Sequence, residues 1–101
     1  MKAAVLCEQP GELVIEDLHI DSPGPQEVLI QTVGAGLCHS DLHFMEGLFR
    51  TKVPAVMGHE SAGIVQAVGA DVTYVKPGDH VVACLSIFCG QCRQCLSGNP
   101  H

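Results

Sequence analysis

Val28-Leu29-Ile30-Gln31-Thr32-Val33 is the run of highest β-branched content in the chain, and Gly34-Ala35-Gly36 separates it from Cys38-His39-Ser40-Asp41-Leu42-His43. β-branched side chains are stiff and pack well on a pleated surface, so this run predicts a strand. Toward the N-terminus, Ala3-Ala4-Val5-Leu6-Cys7 ends at Gln9-Pro10-Gly11, and Leu13-Val14-Ile15-Glu16 ends at Asp21-Ser22-Pro23-Gly24-Pro25. Both are strand-length apolar runs between turn signals. Toward the C-terminus, Ala62 to Val68 reads as a further strand stopped by Gly69-Ala70-Asp71. Lys76-Pro77-Gly78-Asp79 has the Pro and Gly placement of a type II turn and leads into a strand over His80 to Leu85. Between these, Cys38 to Gly47 suits one or two helical turns, with Ser40 or Asp41 able to cap. The pattern predicts a mainly β domain with one short helical segment.

The 101 residues are 47% hydrophobic and 16% charged, which places the chain among globular proteins and away from disordered ones. The length is that of one domain or part of one. A chain of this size is expected to bury roughly 65% of its unfolded surface and to hold a margin on the order of 5–10 kcal/mol. Net charge is −6, and the five basic residues (Lys2, Arg50, Lys52, Lys76, Arg93) make no patch able to neutralise a run of phosphates. Nucleic acid is therefore not an expected partner. No apolar stretch reaches the length of a membrane span. The apolar start from Ala3 breaks at Glu8, too early for a signal peptide. The expected compartment is the cytoplasm.

Six cysteines make up about 6% of the chain, below the composition of a disulfide scaffold. In a reducing compartment, spaced cysteines more often bind metal than pair. Cys89-Gly90-Gln91-Cys92-Arg93-Gln94-Cys95 sets three thiols at intervals of three, a loop able to wrap one tetrahedral ion. Chance places such a spacing somewhere in the chain with a frequency of roughly 0.02. An iron–sulfur cluster uses the same spacing, so it stands beside zinc as an alternative. Three ligands are one short of a structural zinc set; His101, six residues past Cys95, is a further donor.

Two more donors lie apart in sequence. Cys38 follows a predicted strand, and His59, in Gly58-His59-Glu60, precedes another. A thiolate and an imidazole are half of a zinc site, whereas a buried core thiol and a hydrogen-bonded loop histidine explain the same residues equally well.

Gly36-Leu37-Cys38-His39-Ser40-Asp41, Gly58-His59-Glu60-Ser61-Ala62-Gly63, Pro77-Gly78-Asp79-His80-Val81 and the three-cysteine run resemble the zinc-dependent medium-chain alcohol dehydrogenases in order and spacing. The likeness covers essentially the whole chain and is to that family's amino-terminal catalytic domain, a GroES-like, partly open β-barrel. The resemblance implies a role for each matching residue. Cys38 and His59 match two of three protein ligands of a catalytic zinc, and Glu60 matches the acid beside it, sometimes an alternative ligand. Asp41 matches the carboxylate that orients the ligand histidine. Ser40 matches the hydroxyl that touches the substrate oxygen, and His43 matches the end of a proton relay. His39 stands where some members carry an arginine against the cofactor pyrophosphate. Cys89, Cys92 and Cys95 match three of four ligands of a structural zinc.

The implied reaction is the oxidation of an alcohol to an aldehyde or ketone, reversibly, with NAD or NADP. The resemblance implies a small-molecule alcohol or aldehyde as substrate and a homo-oligomer as the full-length parent. The remaining zinc ligands would fall beyond His101, and no G-x-G-x-x-G follows a strand, so the dinucleotide-binding domain is not in this stretch. Residues 1–101 are thus expected to be the first part of the catalytic domain, with residues 89–101 opening the structural-zinc loop. A glutathione-linked formaldehyde dehydrogenase of the same family, a non-catalytic zinc-binding module and a co-chaperonin-like barrel are the other readings. His43 weighs against the first of these and the cysteine run against the last. Leu48, Phe49, Phe44 or Ile87 are expected to line the substrate pocket in part, together with residues outside this stretch.

Overall fold

In a computed structural model that describes residues 1–100, β1 (Lys2–Leu6) is the central strand of one three-stranded sheet. Its neighbours are β2 (Leu13–Asp17) and the two-residue β4 (Ala55–Val56), both antiparallel. β1 pairs Lys2 with Asp17 and Leu6 with Leu13, and on its other edge Leu6 faces Ala55. A strand covered on both edges sinks deepest, and Val5 and Leu6 are buried. β4 is too short to leave a periodic signal, so nothing in the sequence predicted it.

The second sheet has the order β3-β5-β6, from β3 (Val28–Ala35), β5 (Ser61–Val68) and β6 (His80–Val82). Val65, on the central strand, is its buried apolar side chain. β3 was expected to fade at Gly34. It runs on to Ala35 because Gly34 and Ala35 pair with Ala62 and Ser61, while a bulge between Thr32 and Gly34 leaves Val33 unpaired. β6 stops at Val82 instead of reaching Leu85. Its partner β5 begins at Ser61, whose carbonyl takes the last rung from the Ala83 amide at 2.9 Å, so the ladder has nothing further to offer. The turn into β6 is as predicted: Gly78 has φ +96°, and the Asp79 amide donates to the Lys76 carbonyl at 3.1 Å.

Among the described residues two helical segments are present, not one. α1 spans His39–Met45 and α2 spans Arg93–Leu96, within the cysteine run. Neither Ser40 nor Asp41 caps α1. Cys38 occupies the N-cap position and makes no side-chain cap.

Among the described residues, Val5, Leu6 and Val65 are the buried large apolar side chains. The accessible surface is 7854 Å², against about 5,500 Å² for a compact monomer of this mass. The radius of gyration is 15.5 Å, against about 12.7 Å for a compact chain of this length. The two sheets therefore form an open, mostly β assembly and do not close a barrel. Val82, Leu85, Ile87 and Phe88 are all exposed on one stretch of chain.

Candidate functional site

The β3–β5 pairing builds the first donor cluster. Ala35, at the end of β3, faces Ser61, at the start of β5, and one residue further the Gly36 amide donates to the Glu60 carbonyl at 2.8 Å. The chain leaving β3 therefore carries Cys38 past the segment that brings His59 into β5. Gly36 permits the approach: a Cβ there would collide with the Glu60 carboxylate. The ligand atoms of Cys38, His59 and Glu60 lie within 4.8 Å of one another.

Ser40 links the pair. Its hydroxyl donates to Cys38 Sγ at 3.2 Å and stands 3.4 Å from His59 Nε2. Those hydrogen bonds, the Ser40 hydroxyl's first and then that of its amide, hold the Cys38 thiol below its ordinary value, with His59 adding to the effect. The hydrogen bond to Cys38 is in turn the main force holding the His59 imidazole above its ordinary value, and the Asp41 carboxylate acts in the same sense. Both shifts favour thiolate beside imidazolium in the metal-free chain.

Asp41 approaches the other ring nitrogen, with Oδ1 3.4 Å from His59 Nδ1. That is within ion-pair range but not a hydrogen bond, so Asp41 Oδ1 is a buried oxygen with no hydrogen-bond partner. A carboxylate facing the ring nitrogen on the side away from Cys38 and Ser40 is the outer neighbour a metal-ligating imidazole has. Glu60 is more distant, its Oε1 4.0 Å from Nε2.

His39 and His43 stand apart from this cluster. The His43 ring meets His39 edge-on at 4.6 Å and Phe49 edge-on at 5.0 Å, and Phe49 in turn meets Phe44 at 5.5 Å. The hydroxyl of Ser40 bonds to Cys38 and His59, not to His43. An open cleft of about 550 Å³ adjoins the donors, bounded by Gly34 to Gly36, Cys38, His59 to Ala62, Val82, Ala83 and Leu85. None of the residues expected in the substrate pocket borders this cleft. Phe49 meets His43 edge-on and Phe44 meets Phe49, Leu48 lies exposed on their loop, and Ile87 borders a different cavity. Leu85 supplies the apolar wall because the chain leaves β6 early and turns back past Ser61.

The second cluster is local. Cys89, Cys92 and Cys95 gather their sulfurs within 4.8 Å. The sulfur of Cys92 is 3.4 Å from that of Cys95, and the sulfurs of Cys89 and Cys95 are 3.9 Å apart. With Zn–S bonds of about 2.3 Å, tetrahedral sulfurs stand about 3.8 Å apart, so this spacing fits one ion. The amides of Gln91 and Cys92 donate to Cys89 Sγ at 3.4 and 3.3 Å, and with Cys92 and Cys95 they lower that thiol to about 7. α2 performs the gathering, since its Leu96 amide bonds to the Cys92 carbonyl and so folds Cys92 and Cys95 onto one turn. His101 lies outside the described residues.

Both donor sets suit zinc. The first offers a thiolate, an imidazole and a carboxylate with a buried orphan oxygen behind the imidazole, and the second offers three thiols. One residue outside both clusters had no signal in the sequence beyond its place in a turn. Gln9 reaches from the β1–β2 turn to the loop after α1.

The sequence matches the family described as the alcohol dehydrogenase GroES-like domain over residues 24–101. It is 50% identical over 100 residues to the NDMA-dependent alcohol dehydrogenase of Amycolatopsis methanolica, covering 99% of this chain and 27% of that protein. Among solved structures, benzyl alcohol dehydrogenase of Acinetobacter calcoaceticus superposes with a TM-score of 0.91 at 40% identity, over 98% of this chain and 27% of that one. An NAD-dependent alcohol dehydrogenase superposes with a TM-score of 0.86 at 36% identity, over 99% of this chain and 30% of the other. The chain thus spans about a quarter of the length of the relatives it matches.

Proposed function

The chain belongs to the alcohol dehydrogenase GroES-like domain family, and from that premise we propose that residues 1–101 supply the first part of the catalytic domain of a zinc- and NAD(P)-dependent alcohol dehydrogenase. The observation that carries this reading is the convergence of Cys38, His59 and Glu60, with Ser40 against the first two and Asp41 behind the imidazole.

In this reading Cys38 and His59 hold the catalytic zinc, with Glu60 as the acid at its side, and Cys89, Cys92 and Cys95 hold a structural one. The bound zinc supplies Lewis acidity that makes an alcohol hydroxyl acidic near neutrality, and the nicotinamide supplies the hydride acceptor. Asp41, whose carboxylate faces Nδ1 at 3.4 Å, would orient the His59 ring. Ser40, with its hydroxyl between the two ligands, would accept the substrate hydroxyl's proton as it releases its own outward. His43, half-buried on the same helix, exchanges protons with solvent at the end of that path. His39, exposed at the first position of α1, contacts the cofactor. The apolar wall of the cleft at Leu85 favours the carbon side of a small alcohol or aldehyde. The cysteine usage supports a cytoplasmic setting, and the apolar surface left exposed supports burial within a larger, homo-oligomeric protein.

The test is turnover by the zinc-loaded full-length protein with NAD and with NADP, against primary, secondary and aromatic alcohols. Cofactor reduction that disappears in His59→Ala is expected. The 101-residue chain by itself is expected to reduce neither cofactor, because nothing in it brings a nicotinamide to within about 3–3.5 Å of a reacting carbon. A full-length protein that binds zinc but oxidises none of these alcohols would overturn the reading.

A further inference from the structure

Gln9 sits outside both donor clusters, yet its side-chain amide is the most connected polar group between the two ends of this region. Nε2 donates to the Phe44 and Phe49 carbonyls, each at 2.7 Å, and Oε1 accepts from the Thr51 amide at 3.1 Å. Both amide protons are therefore used. The neighbouring Gly11 amide adds a bond to the Met45 carbonyl at 2.9 Å. Phe44 and Met45 belong to the last turn of α1, whose carbonyls lack a full set of intrahelical partners. Phe49 and Thr51 belong to the exposed loop that follows, which pairs with no strand before Ala55. One side chain thus ties the helix end to both Phe49 and Thr51, beside the bonds that the Leu48 and Phe49 amides make to the His43 carbonyl.

The consequence falls on His43. Its imidazole is gripped between the rings of His39 and Phe49, and its carbonyl accepts from the Leu48 and Phe49 amides at 2.9 and 3.3 Å. The position of Phe49 therefore sets the space open to the imidazole, and Gln9 sets the position of Phe49. We propose that Gln9 is a positioning residue for His43, acting through the Phe44 and Phe49 carbonyls to keep the imidazole in one rotamer. The inference deepens the proton-carrying role given to His43 above and rests on it. With the clamp gone, Phe49 and the loop move away, and the imidazole spreads over as many as three staggered χ1 wells. A relay that works from one well then loses about threefold in rate.

Gln9→Met keeps the length of the side chain and removes all three hydrogen bonds. In the full-length protein carrying 13C-labelled histidine, well below the melting temperature, the His43 ring resonance is expected to lose its displacement by the Phe49 ring and move toward that of a free imidazole. His43→Gln identifies that resonance. Turnover is expected to fall about threefold with KM for the alcohol unchanged, and added imidazole should restore part of it. Phe49→Leu keeps the clamp but removes the ring through which it acts, so it should move the same resonance even where Gln9→Met does not fold. A lower melting temperature with an unmoved His43 resonance and unchanged turnover would make Gln9 merely structural and overturn the inference, as would an unmoved resonance in Phe49→Leu. If Gln9→Met moves the resonance while His43→Gln leaves turnover unchanged, Gln9 positions the ring as inferred and the proton-carrying role is what falls.

Discussion

Cys89 should be the fastest-reacting thiol of the metal-free chain toward an aromatic disulfide such as DTNB at pH 7. The Gln91 and Cys92 amides donate to its sulfur, and together with the Cys92 and Cys95 thiols they bring it from the ordinary 9.0 to about 7. At pH 7 about half of it is thiolate, against about one part in a hundred for an unshifted thiol, a gain of about fiftyfold. A less basic thiolate attacks more slowly. With a Brønsted slope of about 0.4–0.5, a drop of about two pKa units costs about six- to tenfold. The net expectation is a rate about five to eight times that of the same thiol in the urea-unfolded chain. Timed quenching followed by mass mapping of each cysteine measures it, and the rate should rise with a midpoint near pH 7. Cys7 should lag, since desolvation and the Glu16 carboxylate raise its thiol. One equivalent of zinc should silence Cys89. A Cys89 rate equal to that of the unfolded chain, or a midpoint near pH 9, would refute the claim that the loop amides ready this sulfur for metal.

Zinc should prefer the Cys89–Cys95 loop, because its ligands close a short ring while Cys38 and His59 must wait for β3 to pair with β5. Metal analysis should therefore find the loop ion lost in Cys92→Ser and kept in His59→Ala; equal loss in both would contradict the ranking. Leu6→Ala should lower the unfolding free energy by about 2–5 kcal/mol in urea titration, since Leu6 is fully buried between two strands and few other side chains share its core. A loss under about 1 kcal/mol would show that β1 does not organise the first sheet. The bonds from the Lys76 ammonium and amide hold the Asp79 carboxyl below its ordinary value, so its stabilising effect is present above about pH 4 and fades as pH falls through the lower folded value. Asp79→Asn should flatten that acid limb in melting experiments from pH 5 to 2, and an unchanged limb would remove the turn from the account.

The three-cysteine cluster was legible because its geometry is local. Residues three apart meet on a turn wherever the chain folds up, and α2 does that for Cys92 and Cys95 even though the run showed no helical pattern. The strands β1, β2, β3 and β5 were legible for a similar reason, since alternation and turn residues act within a few positions. Cys38 and His59 were visible as candidates, but their meeting depends on the register that sets Ala35 opposite Ser61. The same register ended β6 at Val82 and turned Leu85 toward the cleft in place of the aromatic residues expected there. Ser40 looked like a helix cap, but its hydroxyl donates to Cys38 two residues back and stands 3.4 Å from His59 Nε2, a neighbour that only the folded chain brings there. Gln9 left no trace at all, since its partners are 35 to 42 residues away. Sequence determines what neighbours along the chain can do to one another. Which distant groups share a site is decided by strand register, which sums many weak contacts and is written in no single stretch.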